Sequence, residues 1–292
     1  MFENILIIGC GLIGSSILKS SLKKNLSKNI YVLEKSKKNK KIIKKINKKI
    51  KFIHNLDKDI KKMNFIIVCT PMSEYKFIFK KLNELVTENT TITEVGSTKV
   101  NLLNLLKNKN LVLSHPIAGS EVSGPKFSNK DLFNKKWCIL INKGAKHKIK
   151  LVRKFWQKLG SKVTLMSADE HDKIFAITSH LPHLIAYNLI KTAQDFEKKE
   201  KRKVIRFSAG GLRDFSRTAA SNEIMWRDIF FNNKKNMMKM IDLYIKNLID
   251  FKKDINLKNN KSILKKLIQT KRVRSKIIKL KQDINKPDFG RS

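Results

Sequence analysis

Acidic side chains are in short supply: 24 Asp and Glu face 64 Lys and Arg, a formal net charge of +40. Glycine (11) and proline (5) are scarce as well, while lysine, asparagine and isoleucine abound together. All three abundant residues have AT-rich codons, so the charge reads as a coding bias. The lysines are spread over the whole chain, which argues against a dedicated nucleic-acid patch. We expect no specific nucleic-acid partner, only weak, salt-sensitive sticking. Cysteine is nearly absent, and Cys10, Cys69 and Cys138 show no pairing pattern. That argues for a reducing compartment and against a disulfide framework. No uncharged run approaches the ~20 residues of a membrane span. The N-terminal MFENILIIGCG runs straight into a strand and a glycine turn, without the basic region and apolar stretch of a signal peptide. A cytoplasmic protein is expected.

What is present suffices for a core: 41% of the 292 residues are hydrophobic. Apolar runs at Asn4–Gly9, Ile30–Glu34, Phe65–Thr70, Thr91–Val95, Leu111–Ser114, Trp137–Ile141 and Lys162–Met166 read as strands. Helix-patterned stretches separate most of them, and the lysine-rich 36–50 segment reads as a solvated surface helix. Continuous apolar strands alternating with amphipathic helices predict a parallel sheet covered on both faces. After Ser167 no strand is evident; Glu170–Asp195, Ile224–Asp254 and Ser262–Lys281 read as helices. The expected organisation is a Rossmann-type α/β domain over 1–166, followed by an all-helical domain over 167–292.

Gly9-Cys10-Gly11-Leu12-Ile13-Gly14 is a GxGxxG sequence between a strand and a helix, and Glu34 lies 20 positions after Gly14. That context predicts a dinucleotide site. Gly9 permits the tight turn, Gly11 lets the backbone approach the pyrophosphate, and Gly14 allows close helix–strand packing. The helix N-terminus offers free N–H groups. Glu34 suits the ribose hydroxyls of NAD and would repel a 2′-phosphate. Leu12, Ile13 and Thr70, the last at a strand end, complete the expected cofactor set. Ser97 (in VGSTK) and His115 (in SHPIAGSE) also stand at strand ends, where ligands of open sheets bind.

SHPIAGSEVSGP, SHLPHLIAYNL and AGGLRDFSRTAASNEIMWRDIF, with VGSTK and CGLIGSS, resemble the motifs of the prephenate/arogenate (cyclohexadienyl) dehydrogenase family, in its usual order. The likeness covers nearly the whole chain. It implies oxidative decarboxylation: C4 of a cyclohexadienol gives hydride to NAD, CO2 leaves, and the ring becomes aromatic, giving 4-hydroxyphenylpyruvate from prephenate or tyrosine from arogenate. It implies His115 as acceptor of the hydroxyl proton, a role suited to a pKa near 6.5. Ser97 would bond the histidine or substrate, or else serve as an ordinary helix N-cap. Arg217 would grip a substrate carboxylate, with Arg213, His183 and Asp172 also near substrate. Trp226 would reach a neighbouring subunit or pack in the core. A homodimer through the helical domain is implied. No metal is expected: His180 and His183 stand three apart, but Pro182 intervenes and no ligand set completes a site. Other dehydrogenases of the 3-hydroxyacid or 6-phosphogluconate type lack the HPIAGSE and SHLPH pair. A basic nucleic-acid binder with a vestigial dinucleotide fold is the reading from another class.

Overall fold

Strands β1 (Phe2–Ile8) and β4 (Phe65–Val68) lie side by side in the interior of an eight-stranded sheet in a computed structural model that describes residues 2–105, 109–119 and 122–280. Ile5–Ile8 of β1 and the whole of β4 are apolar without interruption and buried, because both their faces are covered. Alternate side chains point to opposite faces of a strand. Ile5, Ile7, Phe65 and Ile67 therefore join one core with Phe155 and Trp156, and Leu6, Ile8, Ile66 and Val68 join another with Tyr75 and Phe79. The first core lies under α1 (Leu12–Lys23) and α4 (Lys146–Leu159), the second under α3 (Tyr75–Leu85).

The remaining strands are β2 (Ser27–Leu33), β3 (Lys51–Ile53), β5 (Thr91–Glu94), β6 (Leu111–Pro116), β7 (Trp137–Ile141) and β8 (Lys162–Met166). The order is β3-β2-β1-β4-β5-β6-β7-β8. The chain thus winds outward in both directions from the β1/β4 boundary, the point where such sheets bind their ligands.

Two expectations need correction. The sheet is not wholly parallel, because β7 runs antiparallel to β6. Among the described residues, the link between them holds a 3₁₀ turn (Pro125–Phe127) and no crossover α-helix. Without a crossover helix the chain returns in the opposite direction. The lysine-rich segment is helical only over α2 (Lys37–Lys44), and β3 follows. Three residues paired to β2 at the sheet edge are too few to show a period.

No strand follows β8 among the described residues. The helices there are α5 (Ala168–Phe175), α6 (Leu181–Glu200), α7 (Gly210–Ser216), α8 (Glu223–Asn232), α9 (Lys234–Asn256) and α10 (Asn260–Lys279). A π turn, Ala176–His180, splits the expected 170–195 helix. Asn233 breaks the expected 224–254 helix, its side-chain amide donating to the Asp172 carbonyl (2.8 Å) and to His180 Nδ1 (3.1 Å). The chain forms two compact units, Met1–Met237 and Met238–Ser292. The helices up to Met237 thus belong with the sheet, because Asp172 and Asn233 tie them to its edge. In the second unit, Asp254 accepts from Ser262 Oγ (2.6 Å) and Lys266 Nζ (2.7 Å), which fixes the start of α10.

Candidate active site

The glycine turn has the shape a pyrophosphate needs. Gly9 has φ +85°, a conformation that glycine adopts at little cost. A Cβ on Gly14 would lie 2.1 Å from the Gly9 carbonyl oxygen, so α1 can approach β1 only with glycine there. A Cβ on Gly11 would meet nothing within 4 Å, leaving open space above the turn. Gly11 is the N-cap of α1 and gives it no side-chain cap, and the first turn, which holds Leu12 and Ile13, has no acidic residue. The free N–H groups and the helix dipole thus favour an anion. Glu34 is buried. Its Oε2 accepts from Cys10 N and its Oε1 from Ser36 N, both at 2.8 Å, so the carboxylate is pinned against the turn. Thr70 lies just beyond β4, and its Oγ1 is buried with no hydrogen-bond partner among the described residues. An unpaired hydroxyl beside an open glycine cradle fits a dinucleotide.

Two strands from β4, β6 carries His115. Burial first, then the neighbouring His171, Lys99 and His180, hold its pKa well below the usual histidine value. His115 Nδ1 lies 2.8 Å from His171 Nε2, and His171 Nδ1 lies 2.8 Å from Asp172 Oδ1. Burial also lowers His171, against the upward pull of Asp172. These contacts fix the tautomers. The carboxylate only accepts, so His171 carries its proton on Nδ1. Its bare Nε2 then accepts from His115 Nδ1–H, and the free lone pair of His115 is on Nε2. Phe175 packs against both rings, at centroid distances of 4.8 and 4.5 Å.

Beneath the histidines lies a buried ion pair, Lys99 Nζ to Glu94 Oε1 at 2.5 Å, with both side chains fully inaccessible. Lys99 also donates to the Ser114 carbonyl (2.7 Å). Glu94 accepts further from Gly96 N (2.6 Å), Ser114 N (3.1 Å) and Tyr75 OH (3.3 Å). Such saturation by donors keeps the carboxylate ionised, although burial pushes its pKa up.

Asp172, which the family resemblance places near the substrate, supports the histidines from within the protein. It is 1% exposed, and besides His171 it accepts from the backbone N–H of Lys99 (2.8 Å) and Val100 (2.9 Å). Its oxygens are spent on holding the site. It thereby caps the 3₁₀ turn Val100–Leu102, a task the sequence suggested for Ser97. The element next after Ser97 is that 3₁₀ turn and not an α-helix; Ser97 itself is half-buried in the bend after β5.

The π turn leads into α6, which carries His183. Burial lowers its pKa. Its Nδ1 donates to the Ser179 carbonyl (2.9 Å), and its ring stacks on Trp226 of α8 at 3.7 Å. Trp226 is 5% exposed and packs within this chain. Arg213 and Arg217 are exposed, on α7 and the 3₁₀ turn after it, which lie against α6. Ser120 and Glu121 of the HPIAGSE segment lie outside the described residues. The histidines thus converge on the sheet edge, whereas the arginines sit on the flank of α6. Sequence patterns gave no role to His171, Lys99, Glu94 or Asn233, although Lys99 closes the VGSTK segment.

Fold and glycine turn define a dinucleotide-binding protein of the Rossmann class with a histidine chain at its strand ends. Residues 18–165 match the family model for the nucleotide-binding domain of prephenate dehydrogenase, and residues 167–282 match that for its dimerization domain. The chain belongs to the prephenate dehydrogenase family. It is 30% identical to the cyclohexadienyl dehydrogenase of Zymomonas mobilis over 85% of this chain and 87% of that one. It is 28% identical to the prephenate dehydrogenase of Bacillus subtilis over 85% of this chain and 69% of that one. The crystal structure of prephenate dehydrogenase from Aquifex aeolicus, in complex with hydroxyphenyl propionate and NAD+, superposes with a TM-score of 0.88 at 32% identity. The match covers 95% of this chain and 99% of that one.

Proposed function

We propose that this chain is a cytoplasmic NAD-dependent dehydrogenase that converts prephenate to 4-hydroxyphenylpyruvate and CO2, on the path to tyrosine. The observation that carries the reading is the Asp172–His171–His115 chain at the sheet edge that also holds the glycine turn. His115 Nε2, kept neutral, takes the proton of the C4 hydroxyl. His171 and Asp172 hold the ring in that tautomer. Bound NAD accepts the C4 hydride as the ring carboxylate departs as CO2 and the ring aromatises. Gly9, Gly11 and Gly14 seat the pyrophosphate, with Leu12 and Ile13 supplying N–H groups. Glu34 takes the ribose hydroxyls, and Thr70 Oγ1 lines the crevice. Ser97 and His183 lie on the substrate side. Residues 1–166 form the cofactor half and 167–292 the substrate half. The latter also supplies a homodimer contact, supported by exposed Leu243, Leu248 and Ile249 on α9. Arogenate, which carries an ammonium where prephenate has a keto group, is the second reading, favoured by the identity to a cyclohexadienyl dehydrogenase.

The test is NADH formation with each substrate. Turnover of prephenate with NAD, and much weaker turnover with NADP, is expected. Turnover of arogenate alone would shift the assignment to the second reading, and turnover of neither would end both.

Arg217 is proposed to grip a substrate carboxylate, with Arg213 beside it. Arg217→Ala is expected to raise KM for prephenate far more than it lowers kcat, with KM for NAD nearly unmoved, the pattern of lost uniform binding. An unchanged KM for prephenate returns Arg217 to a surface role.

A further inference from the structure

The segment after β4 leaves the sheet at the β1/β4 boundary, beside the glycine turn. A Cβ on Gly9 would sit 2.8 Å from Thr70 Cγ2, so this segment forms one lip of the crevice. It continues as a 3₁₀ turn, Met72–Glu74, and then as α3. At one end of the turn, Lys35 reaches Glu74 at 2.7 Å, both side chains well exposed. At the other, Thr98 Oγ1 meets Met72 Sδ at 3.6 Å, next to Gly96. The turn therefore runs from the Glu34 side of the crevice to the His115 side.

Its middle is held from the helical part of the chain. Asp228 of α8 is 5% exposed, and its Oδ2 accepts the backbone N–H of Ser73 at 2.8 Å. Its Oδ1 is separately occupied by the half-exposed Arg227 guanidinium, at 2.7 and 3.1 Å. A bond from a backbone N–H to a buried carboxylate is charge-assisted and stronger than a neutral one. Two residues earlier on the same helix, Trp226 stacks on His183. One short helix thus grips the cofactor-side turn with one side chain and the substrate-side histidine with another.

We infer that Asp228 is a positioning residue for the cofactor: it sets the 70–74 lip at the height the dinucleotide requires, in register with the helix that orients His183. The inference rests on the NAD-dependent reading above. Without Asp228 the turn loses its hydrogen bond from α8 and relies on its flanks, where Met72 packs against the core and the Lys35–Glu74 ion pair is exposed and of little worth. The dinucleotide would then have to order the lip on binding, at a cost to its affinity.

The test compares Asp228→Ala and Asp228→Asn in the full-length protein, with NAD affinity measured by titration calorimetry. Asp228→Ala is expected to weaken NAD binding roughly tenfold, equivalent to about 1.4 kcal/mol, and to raise KM for NAD more than it lowers kcat. Asp228→Asn keeps an oxygen for the Ser73 N–H and is expected to restore affinity to within about threefold. A lower thermal midpoint for Asp228→Ala with unchanged NAD affinity would make the residue merely structural and overturn the inference. Equal weakening in both variants would overturn it too, pointing to charge instead of the bond to Ser73. Failure of the unmodified protein to bind NAD would instead reject the reading on which the inference rests.

Discussion

Replacing His115 by asparagine is expected to lower kcat by about 10²–10⁴-fold, the usual scale for losing a general base. NAD affinity should stay close to normal, because the pyrophosphate cradle at Gly9–Gly14 follows β1, three strands away from β6. The fold should tolerate the change, since His115 is half-buried and its neighbours Ser114 and Pro116 are held by β5 and β7. The pH profile gives a second check. The base works only when neutral, so activity falls as pH drops through its pKa. Burial first, then the neighbouring His171, Lys99 and His180, put that pKa well below the ordinary histidine value. The acid limb of kcat/KM in the unmodified enzyme is therefore expected well below pH 6.5 and should vanish from the residual activity of the variant. Near-normal turnover of His115→Asn, with chemistry shown to limit the rate, would sink the assignment and leave His183 as the next candidate.

Lys99→Met should be the most destabilising single change near the site. Glu94 would remain fully buried without its counter-ion. Breaking such a pair from one side costs about 3–5 kcal/mol, because the remaining charge is left uncompensated. The loss should depend on pH in a defined direction. Without Lys99, the Glu94 pKa rises further in the folded state, since the ion pair and its hydrogen bond both pull it down. The folded state then binds a proton that the unfolded state releases near pH 4.3, the ordinary glutamate value. Relative stability must fall as pH rises between those two pKa values. Urea unfolding at pH 5 and pH 8 checks this: the deficit of Lys99→Met against the unmodified chain should be larger at pH 8. A deficit below about 1 kcal/mol that does not change with pH would show that the pair contributes little.

Several parts of this protein were legible in the order of its residues because they rest on local patterns. The apolar runs of β1 and β4, the turn from Gly9 to Gly14, and Glu34 at the next strand end are each set by neighbours in sequence or a fixed interval. The His115, Asp172, His183 and Arg217 segments carried a family likeness. That no strand follows β8 among the described residues was also expected from pattern alone. The antiparallel β7, the π turn at Ala176–His180 and the break at Asn233 were not legible. Each is decided by a partner far away in sequence: β6 for β7, and Asp172 and His180 for Asn233.

The roles within the site divide in the same way. The sequence by itself determined that a dinucleotide turn and a histidine at a strand end exist in one chain, since glycine spacing and a short motif encode them. Only the tertiary structure decided that Asp172 supports His171 and caps a 3₁₀ turn. It alone fixed the tautomer of His115, which depends on a ring 56 positions away. It also decided that Lys99 and Glu94 are a buried pair and that Asp228 reaches across to Ser73, 155 positions earlier. The physical reason is that hydrogen-bond donors and acceptors buried from water must find partners wherever the fold brings them, and no local spacing records which partner that is.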